Sequence, residues 1–345
     1  MRPRERIVVA FGTLTLLLVL CLDVGRLVLA PTREASKDAV RIRNAMVAEL
    51  GEPIETDWPP SAVPANYNWE GRSAPRFFTT MVEGVVPPGA RQESALETAL
   101  RLARHLRSTS RYGQPIQANA RETYEKILSG QGGYCTDYTQ SFNALALAAG
   151  LKVREWGFTW EDMSNGHAFN EIWDPDLEKW IFIDAFTSFY VIDAATSTPM
   201  SVLEFRASLL DEPAAGDAQV VPIVAHRFGF KSPERALEWY QRGVPRSFLL
   251  LGNNVFSYDA TPLIRMTEPL PRSVEMLVAI LLGEHPRFLF VPPASHPEVK
   301  EQVEQLWWQL LWFLAKMIAT ILLGFGFLVF LWRSLQMRRR ATGSA

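Results

Sequence analysis

Cysteine is nearly missing from this chain. Cys21 and Cys135 are the only two in 345 residues, and Cys21 lies inside an apolar run near the N-terminus. The remainder of the chain therefore holds one thiol and can form no internal disulfide. The same count rules out a four-cysteine zinc site. Only five histidines occur, with no HExxH spacing, which rules out a zinc-protease helix. There is no glycine-rich phosphate loop, no internal repeat and no low-complexity tract. Neither sign of charge dominates: 35 Lys and Arg stand against 37 Asp and Glu. The basic field that nucleic-acid binding requires is missing, so no nucleic-acid partner is expected. No cofactor and no metal is expected either.

Long apolar runs are what the chain does have. "IVVAFGTLTLLLVLCL" (Ile7 to Leu22) carries no charge and continues past Asp23 and Arg26 to Ala30. "LWWQLLWFLAKMIATILLGFGFLVFLW" (Leu306 to Trp332) has Lys316 as its only charge. About 20 apolar residues cross a bilayer core. The second run predicts a transmembrane helix, with Trp307, Trp308 and Trp312 at one interface and Trp332 at the other. Lys316 can snorkel toward an interface. The first run admits a cleaved signal peptide or a lipoprotein signal at Cys21. Pro31 after "VLA" disfavours the former, and Leu20 before the cysteine disfavours the latter. The reading taken is an uncleaved anchor over 7–30.

Flanking arginines set the orientation. Arg2, Arg4 and Arg6 precede the first run; Arg333, Arg338, Arg339 and Arg340 follow the second. Positive flanks stay cytoplasmic. The expected order is a cytoplasmic N-terminus (1–6), an anchor (7–30), an outer segment, a second span (306–332) and a basic cytoplasmic tail (333–345). Both termini then face inward at an inner (cytoplasmic) membrane. Residues 31–305 lie on the periplasmic or extracytoplasmic side, with the lipid bilayer as one partner. This outer segment holds 26 Lys and Arg against 35 Asp and Glu, a charge of −9. A lone thiol in such an oxidising compartment marks a candidate reactive group. A small buried hydrophobe is the other common use of a free cysteine.

Periodicity reads the outer segment as α+β. Helices are expected over Ala35 to Leu50, Ala90 to Ser108 and Asn119 to Gly130, with a strand at "RFFTTMVEGVV". Tyr138, Phe142, Leu145 and Ala149 recur at helical spacing, and Gly150 stops that helix. The period then changes to two. "LKVREWGFTW", "HAFNEIW", "KWIFIDAF" and "FYVID" read as strands separated by turns. Downstream, "VLEFRASLL", "SPERALEWYQRG" and "RSVEMLVAILLG" read as helices. "QVVPIVAHRFGF" and "RSFLLLGNNVFSYD" read as strand-like. The expected division is a helical and loop part (31–118), a core (119–200) and a C-terminal extension (201–305).

Cys135 follows Gly132, Gly133 and Tyr134, at or just before a helix start. A helix N-terminus presents free N–H groups and partial positive charge. These favour a thiolate and can hold an oxyanion. What a cysteine nucleophile still needs is a base. His105 sits on a charged helix, His285 and His296 precede prolines, and His226 has no acidic neighbour in sequence. His167 opens the strand "HAFNEIW", and the next strand carries Asp184. Side chains alternate faces along a strand. His167, Phe169, Glu171 and Trp173 share one face, as do Trp180, Phe182 and Asp184. Pairing Trp173 with Trp180 sets Phe169 opposite Asp184 and makes His167 its diagonal neighbour. A four-residue turn would set His167 directly opposite Asp184. Either register joins the two on one face.

"GYCTDYTQSFNALALAAGLKVRE", "GHAFNEIW" and "KWIFIDAF" resemble the three signature segments of the transglutaminase-like superfamily, over roughly residues 119 to 193. The resemblance implies a papain/transglutaminase-like core, with N-terminal helices and a nucleophile helix packed on an antiparallel sheet. Here two transmembrane helices would flank that core. It implies a Cys–His–Asp triad: Cys135 as nucleophile, His167 as base and acid, Asp184 orienting the imidazole. The family has a further oxyanion donor upstream of the cysteine; Gln131 and Tyr134 are the two candidates here. The expected activity is attack on an amide or ester carbonyl through an acyl-enzyme, as a protease, an amidase or an acyltransferase to an amine. The substrate would be a protein or peptide-bearing polymer of the cell envelope. The alternative is a catalytically silent scaffold or binding module in an envelope assembly, for instance one handling polysaccharide.

Overall fold

In the computed structural model the chain divides into two compact units. One is Val47–Val303; the other combines Met1–Met46 with Glu304–Ala345. The structure describes residues 3–29, 33–87, 94–109, 113–116, 118–212, 215–270 and 272–342. The start of the helix expected from Ala90 lies outside these residues.

The second unit contains helix α1 (Pro3–Leu29) and most of α2 (Arg33–Val47). Val47–Val303 then opens with a short strand, β1 (Ala48–Leu50), where the sequence pattern had continued the α2 helix to Gly51. Four helices follow: α3 (Arg76–Val85), α4 (Ala95–Ser108), α5 (Ala120–Leu128) and α6 (Cys135–Ala148). Side-chain caps fix two of their starts. Ser94 accepts from Glu97 N and Asn119 from Glu122 N, both at 3.0 Å.

α3 corrects the strand expected at "RFFTTMVEGVV". Its Thr and Val residues suggest a strand, but Phe78 and Val82 are four apart and both buried. Phe78 packs edge-on to Tyr124 of α5, with centroids 5.9 Å apart. Tertiary burial of that stripe outweighs β propensity.

Four strands come next, β2 (Val153–Thr159), β3 (Gly166–Asp174), β4 (Lys179–Asp184) and β5 (Phe189–Asp193). Helix α7 (Val202–Leu209), strand β6 (Ala218–Pro222), helix α8 (Pro233–Gln241) and strand β7 (Ser247–Leu250) follow. The unit continues through α9 (Val255–Ala260), α10 (Pro262–Thr267), α11 (Arg272–Leu281) and β8 (Phe288–Phe290). Two strand-like readings shorten here: "QVVPIVAHRFGF" is extended only to Pro222, and "RSFLLLGNNVFSYD" turns helical at Val255. At each break a buried polar side chain turns the chain: Ser188 Oγ accepts from Val224 N, and Glu70 from Phe256 N.

The eight strands form one sheet in the order β1-β8-β7-β2-β3-β4-β5-β6. All neighbours are antiparallel except β1 and β8. Trp173 pairs with Trp180, the register expected for the hairpin. The central strands are covered on both faces, as their near-continuous apolar runs require. On one face Val153, Ile172, Ile181 and Ile183 pack with Phe142 and Leu145 of α6. On the other, Trp156, Phe158, Phe169, Trp180 and Phe182 pack with Phe205 of α7 and Tyr240 of α8.

A buried ion pair, Arg154 of β2 with Glu171 of β3, lies inside this double-sided core. Arg154 Nε donates to Glu171 at 2.6 Å, and Trp156 Nε1 and Val202 N also donate to that carboxylate. Glu171 thus joins the strands to the start of α7.

The last helix, α12 (Glu298–Thr342), contains Glu298–Gln336, a stretch long and apolar enough to cross a membrane. Among the described residues it is the one stretch that meets both criteria; the apolar part of α1, Phe11–Asp23, is shorter. Lys316 of α12 donates to Asp23 of α1 at 2.5 Å.

Candidate active site

The loop before α6 is built to place one thiol. Gly132 and Gly133 both have positive φ, 95° and 144°, which side-chain-bearing residues rarely adopt. Asp137, in the first turn of α6, reaches back to accept from Tyr134 N at 2.8 Å and from Ile116 N at 3.0 Å. A carboxylate here satisfies orphan donors and complements the helix dipole. Cys135 is the first helical residue and is half-buried.

His167 enters from β3 and Asp184 from the end of β4. His167 Nε2 donates to Asp184 Oδ2 at 2.7 Å, with both side chains buried. Cys135 lies close enough to the same imidazole to favour its charged form. With Nε2 committed to Asp184, Nδ1 is the nitrogen left to face the thiol. The structure thus brings the three expected residues together, through the hairpin register read from the sequence.

Asp184 is the most heavily bonded group of the three. Its Oδ1 accepts from Phe186 N and Thr187 N, each at 2.8 Å. Its Oδ2 accepts from His167, from Thr187 Oγ1 and from Tyr240 Oη. Burial favours the neutral acid, but His167 and the hydroxyl donors outweigh it and hold the carboxyl below its ordinary range. Burial likewise disfavours a charged His167. The Asp184 carboxylate and then Cys135 outweigh that, and the imidazole is raised to about 10. Both shifts favour the imidazolium–carboxylate form of the pair.

Aromatic rings wall in the imidazole. Trp239 stands edge-on at 5.1 Å between centroids, and Tyr240, Phe158, Phe169 and Phe186 lie within 6 Å. Trp160 packs edge-on to Trp239 at 5.1 Å. These rings exclude water from the His–Asp pair, which strengthens it.

The two oxyanion candidates are both exposed. The backbone N–H of Gln131 is bonded to Lys126 O, and that of Tyr134 to Asp137. Only their side chains remain as donors. The other histidines have separate settings: His105 bonds the Tyr124 hydroxyl and His296 bonds Glu298. Among the described residues no cluster of three His, Cys, Asp or Glu side chains could hold a metal. A polar cavity of about 240 Å³, bounded by Glu122, Lys126, Asp259 and Arg272, has none of the three site residues in its walls. Two of its wall residues reach toward the site: the Ile116 N–H is bonded to Asp137, and the Lys126 carbonyl accepts from Gln131 N.

Sequence reasoning missed Asp137, Thr187 and Tyr240. An acidic residue in the first turn after Cys135 was a readable capping signal for Asp137. Thr187 follows a strand end within a turn, where a hydroxyl commonly bonds nearby groups. Nothing in the spacing of Tyr240 points to His167.

A cysteine at a helix start, meeting a buried His–Asp pair on an adjacent hairpin, defines a class of site built for thiol chemistry. Residues 85–185 match the family model of the transglutaminase-like superfamily, so the chain contains a transglutaminase-like domain. The match takes in α4 and α5 as well as the nucleophile helix and the hairpin, and it ends one residue after Asp184. Comparison with curated proteins and with solved structures gives no match.

Proposed function

We propose that this protein is a membrane-anchored cysteine hydrolase or acyltransferase whose centre is Cys135, His167 and Asp184. One observation carries this reading: a single buried imidazole is bonded through Nε2 to Asp184 and lies near enough to Cys135 to be influenced by it. In the proposed cycle the Cys135 sulfur attacks an amide or ester carbonyl, and the carbon–sulfur bond forms as the carbonyl electrons move to oxygen. The imidazolium of His167 then protonates the leaving amine or alcohol as the tetrahedral adduct collapses to a thioester. His167 next takes a proton from water or from an acceptor amine, which attacks the thioester and releases Cys135. Water, as the most abundant acceptor, makes hydrolysis the favoured outcome. Asp184 keeps the imidazole in its working orientation throughout.

The expected substrate is a protein or peptide-bearing polymer of the cell envelope. Two spans, near residues 7–30 and 306–332, would hold both termini in the cytoplasm and present residues 31–305 outside it. The apolar stretch in α12 and its ion pair with α1 support this arrangement. The test uses the detergent-solubilised full chain and iodoacetamide across pH. Cys135 is expected to alkylate at pH 6 about tenfold or more faster than an ordinary cysteine, and His167→Ala to abolish that advantage. An ordinary thiol profile that His167→Ala leaves unchanged would favour a silent scaffold and sink the enzyme reading.

A further inference from the structure

The family match stops at residue 185, yet one donor to Asp184 comes from much further along the chain. Tyr240 lies 56 residues beyond Asp184, on α8, and is fully buried. Its hydroxyl donates to Asp184 Oδ2 at 2.5 Å, the oxygen that also receives His167 Nε2–H. Its ring stands at 88° to the imidazole, with centroids 5.7 Å apart. Burial and the neighbouring carboxylate both push its ionisation well above the ordinary phenol value, so the hydroxyl remains a donor.

The position of Tyr240 is determined from both ends of α8. Ser232 caps the helix, accepting from Arg235 N, and Pro233 begins it. After α8 the Tyr240 carbonyl accepts from Gly243 N at 2.9 Å. Gly243 itself passes so near Phe158 of β2 that a Cβ there would lie 2.2 Å from the ring. Only a glycine permits this approach, and the approach clamps the end of α8 to the strand beside His167.

We propose that Tyr240 is a positioning residue of the Cys135–His167–Asp184 centre, and that residues 201–305 complete the site by supplying this distant donor from outside the family-matched segment. The inference rests on the functional reading above. A charge-assisted hydrogen bond from a buried hydroxyl keeps the carboxylate ionised and fixes the direction in which Oδ2 faces the imidazole. The titratable groups facing the carboxylate are His167 from β3, Tyr240 from α8 and, across the imidazole, Cys135 from α6. Thr187 is the remaining side-chain donor and does not titrate. Tyr240 touches no reacting atom; it acts through Asp184.

A tyrosine that merely filled the core would tolerate loss of its hydroxyl with no change in the chemistry of Cys135. The test is Tyr240→Phe in the full solubilised chain, with the iodoacetamide rate of Cys135 followed from pH 4 to 10. Without the donor Asp184 protonates more easily, so the acid limb moves to higher pH. The rate at pH 4 is expected to fall about threefold or more while the rate at pH 8 stays within about threefold. A folded Phe variant with an unmoved acid limb overturns the inference. If that variant does not fold, 3-fluorotyrosine at position 240 keeps the ring and makes its hydroxyl a stronger donor. The acid limb then moves to lower pH, and an unmoved limb overturns the inference. His167→Ala separates the two levels. If that change leaves the profile untouched, the functional reading itself fails; if it alters the profile while both Tyr240 changes do not, only the role of Tyr240 fails.

Discussion

Two acids, Asp184 and Glu155, are buried in the strands beside α6, and their surroundings drive them in opposite directions. Asp184 receives five donors and stays charged. Glu155, on β2, receives Gln140 Nε2 and Asn143 Nδ2 beneath α6, and burial raises it from 4.5 to about 8. An acid raised on folding binds more protons in the native state than in the unfolded one between those two values. Stability therefore falls as pH rises from about 4.5 to 8 and levels off above. Glu155→Gln keeps the accepting oxygen and removes the titration. We expect thermal melts of this variant to match the wild type at pH 5 and to show stability higher by on the order of 1–3 kcal/mol at pH 8. In the His167–Asp184 pair the histidine has the same sense and the aspartate the contrary one. Its histidine contribution is fully present below pH 6.5 and is lost as pH rises toward about 10. The aspartate contribution is lost only as pH falls below 3.8. A melt of the wild type alone mixes these effects, and the difference against Glu155→Gln isolates the first.

Among the elements, α6 and the β3–β4 hairpin were the most legible. Tyr138, Phe142 and Leu145 declare a helix, and period-2 alternation with a short turn fixes one register that brings His167 to Asp184. α3 was not legible, because its Thr and Val content speaks for a strand while its burial against α5 is a tertiary fact. Tyr240 was invisible for the same reason: a helix-to-strand contact across 56 residues leaves no local pattern. The start of α6 offers a direct test of what holds Cys135 in place. Asp137→Ala removes the acceptor for Tyr134 N and Ile116 N. Loss of such a cap costs roughly 1–2 kcal/mol. The expected outcome is a lowered melting temperature and slower alkylation of Cys135, with Asp137→Asn, which keeps an acceptor, recovering most of both.

For the whole molecule, the ion pair between Asp23 and Lys316 joins the first apolar helix to the last. A charged pair among apolar residues is costly to break and inexpensive to invert. Asp23→Lys or Lys316→Asp alone is expected to lower the melting temperature in detergent. The exchanged double variant should regain most of the loss, with a coupling of about 1–2 kcal/mol. Additive losses would mean that the two charges act independently.

Strand β1 has a consequence for anyone who wants the Val47–Val303 unit by itself. Ala48–Leu50 pairs in parallel with Phe288–Phe290, and Gly51 N bonds Phe290 O at 2.9 Å. Three residues from the beginning of the unit thus cover an otherwise open sheet edge formed near its end. A fragment that starts at residue 85, where the family match begins, but keeps β8 would lack β1, expose the backbone donors and acceptors of β8 and stick to its own copies through them. A soluble, monomeric version has to begin ahead of Ala48 and run past Phe290, a far longer piece than homology alone would delimit.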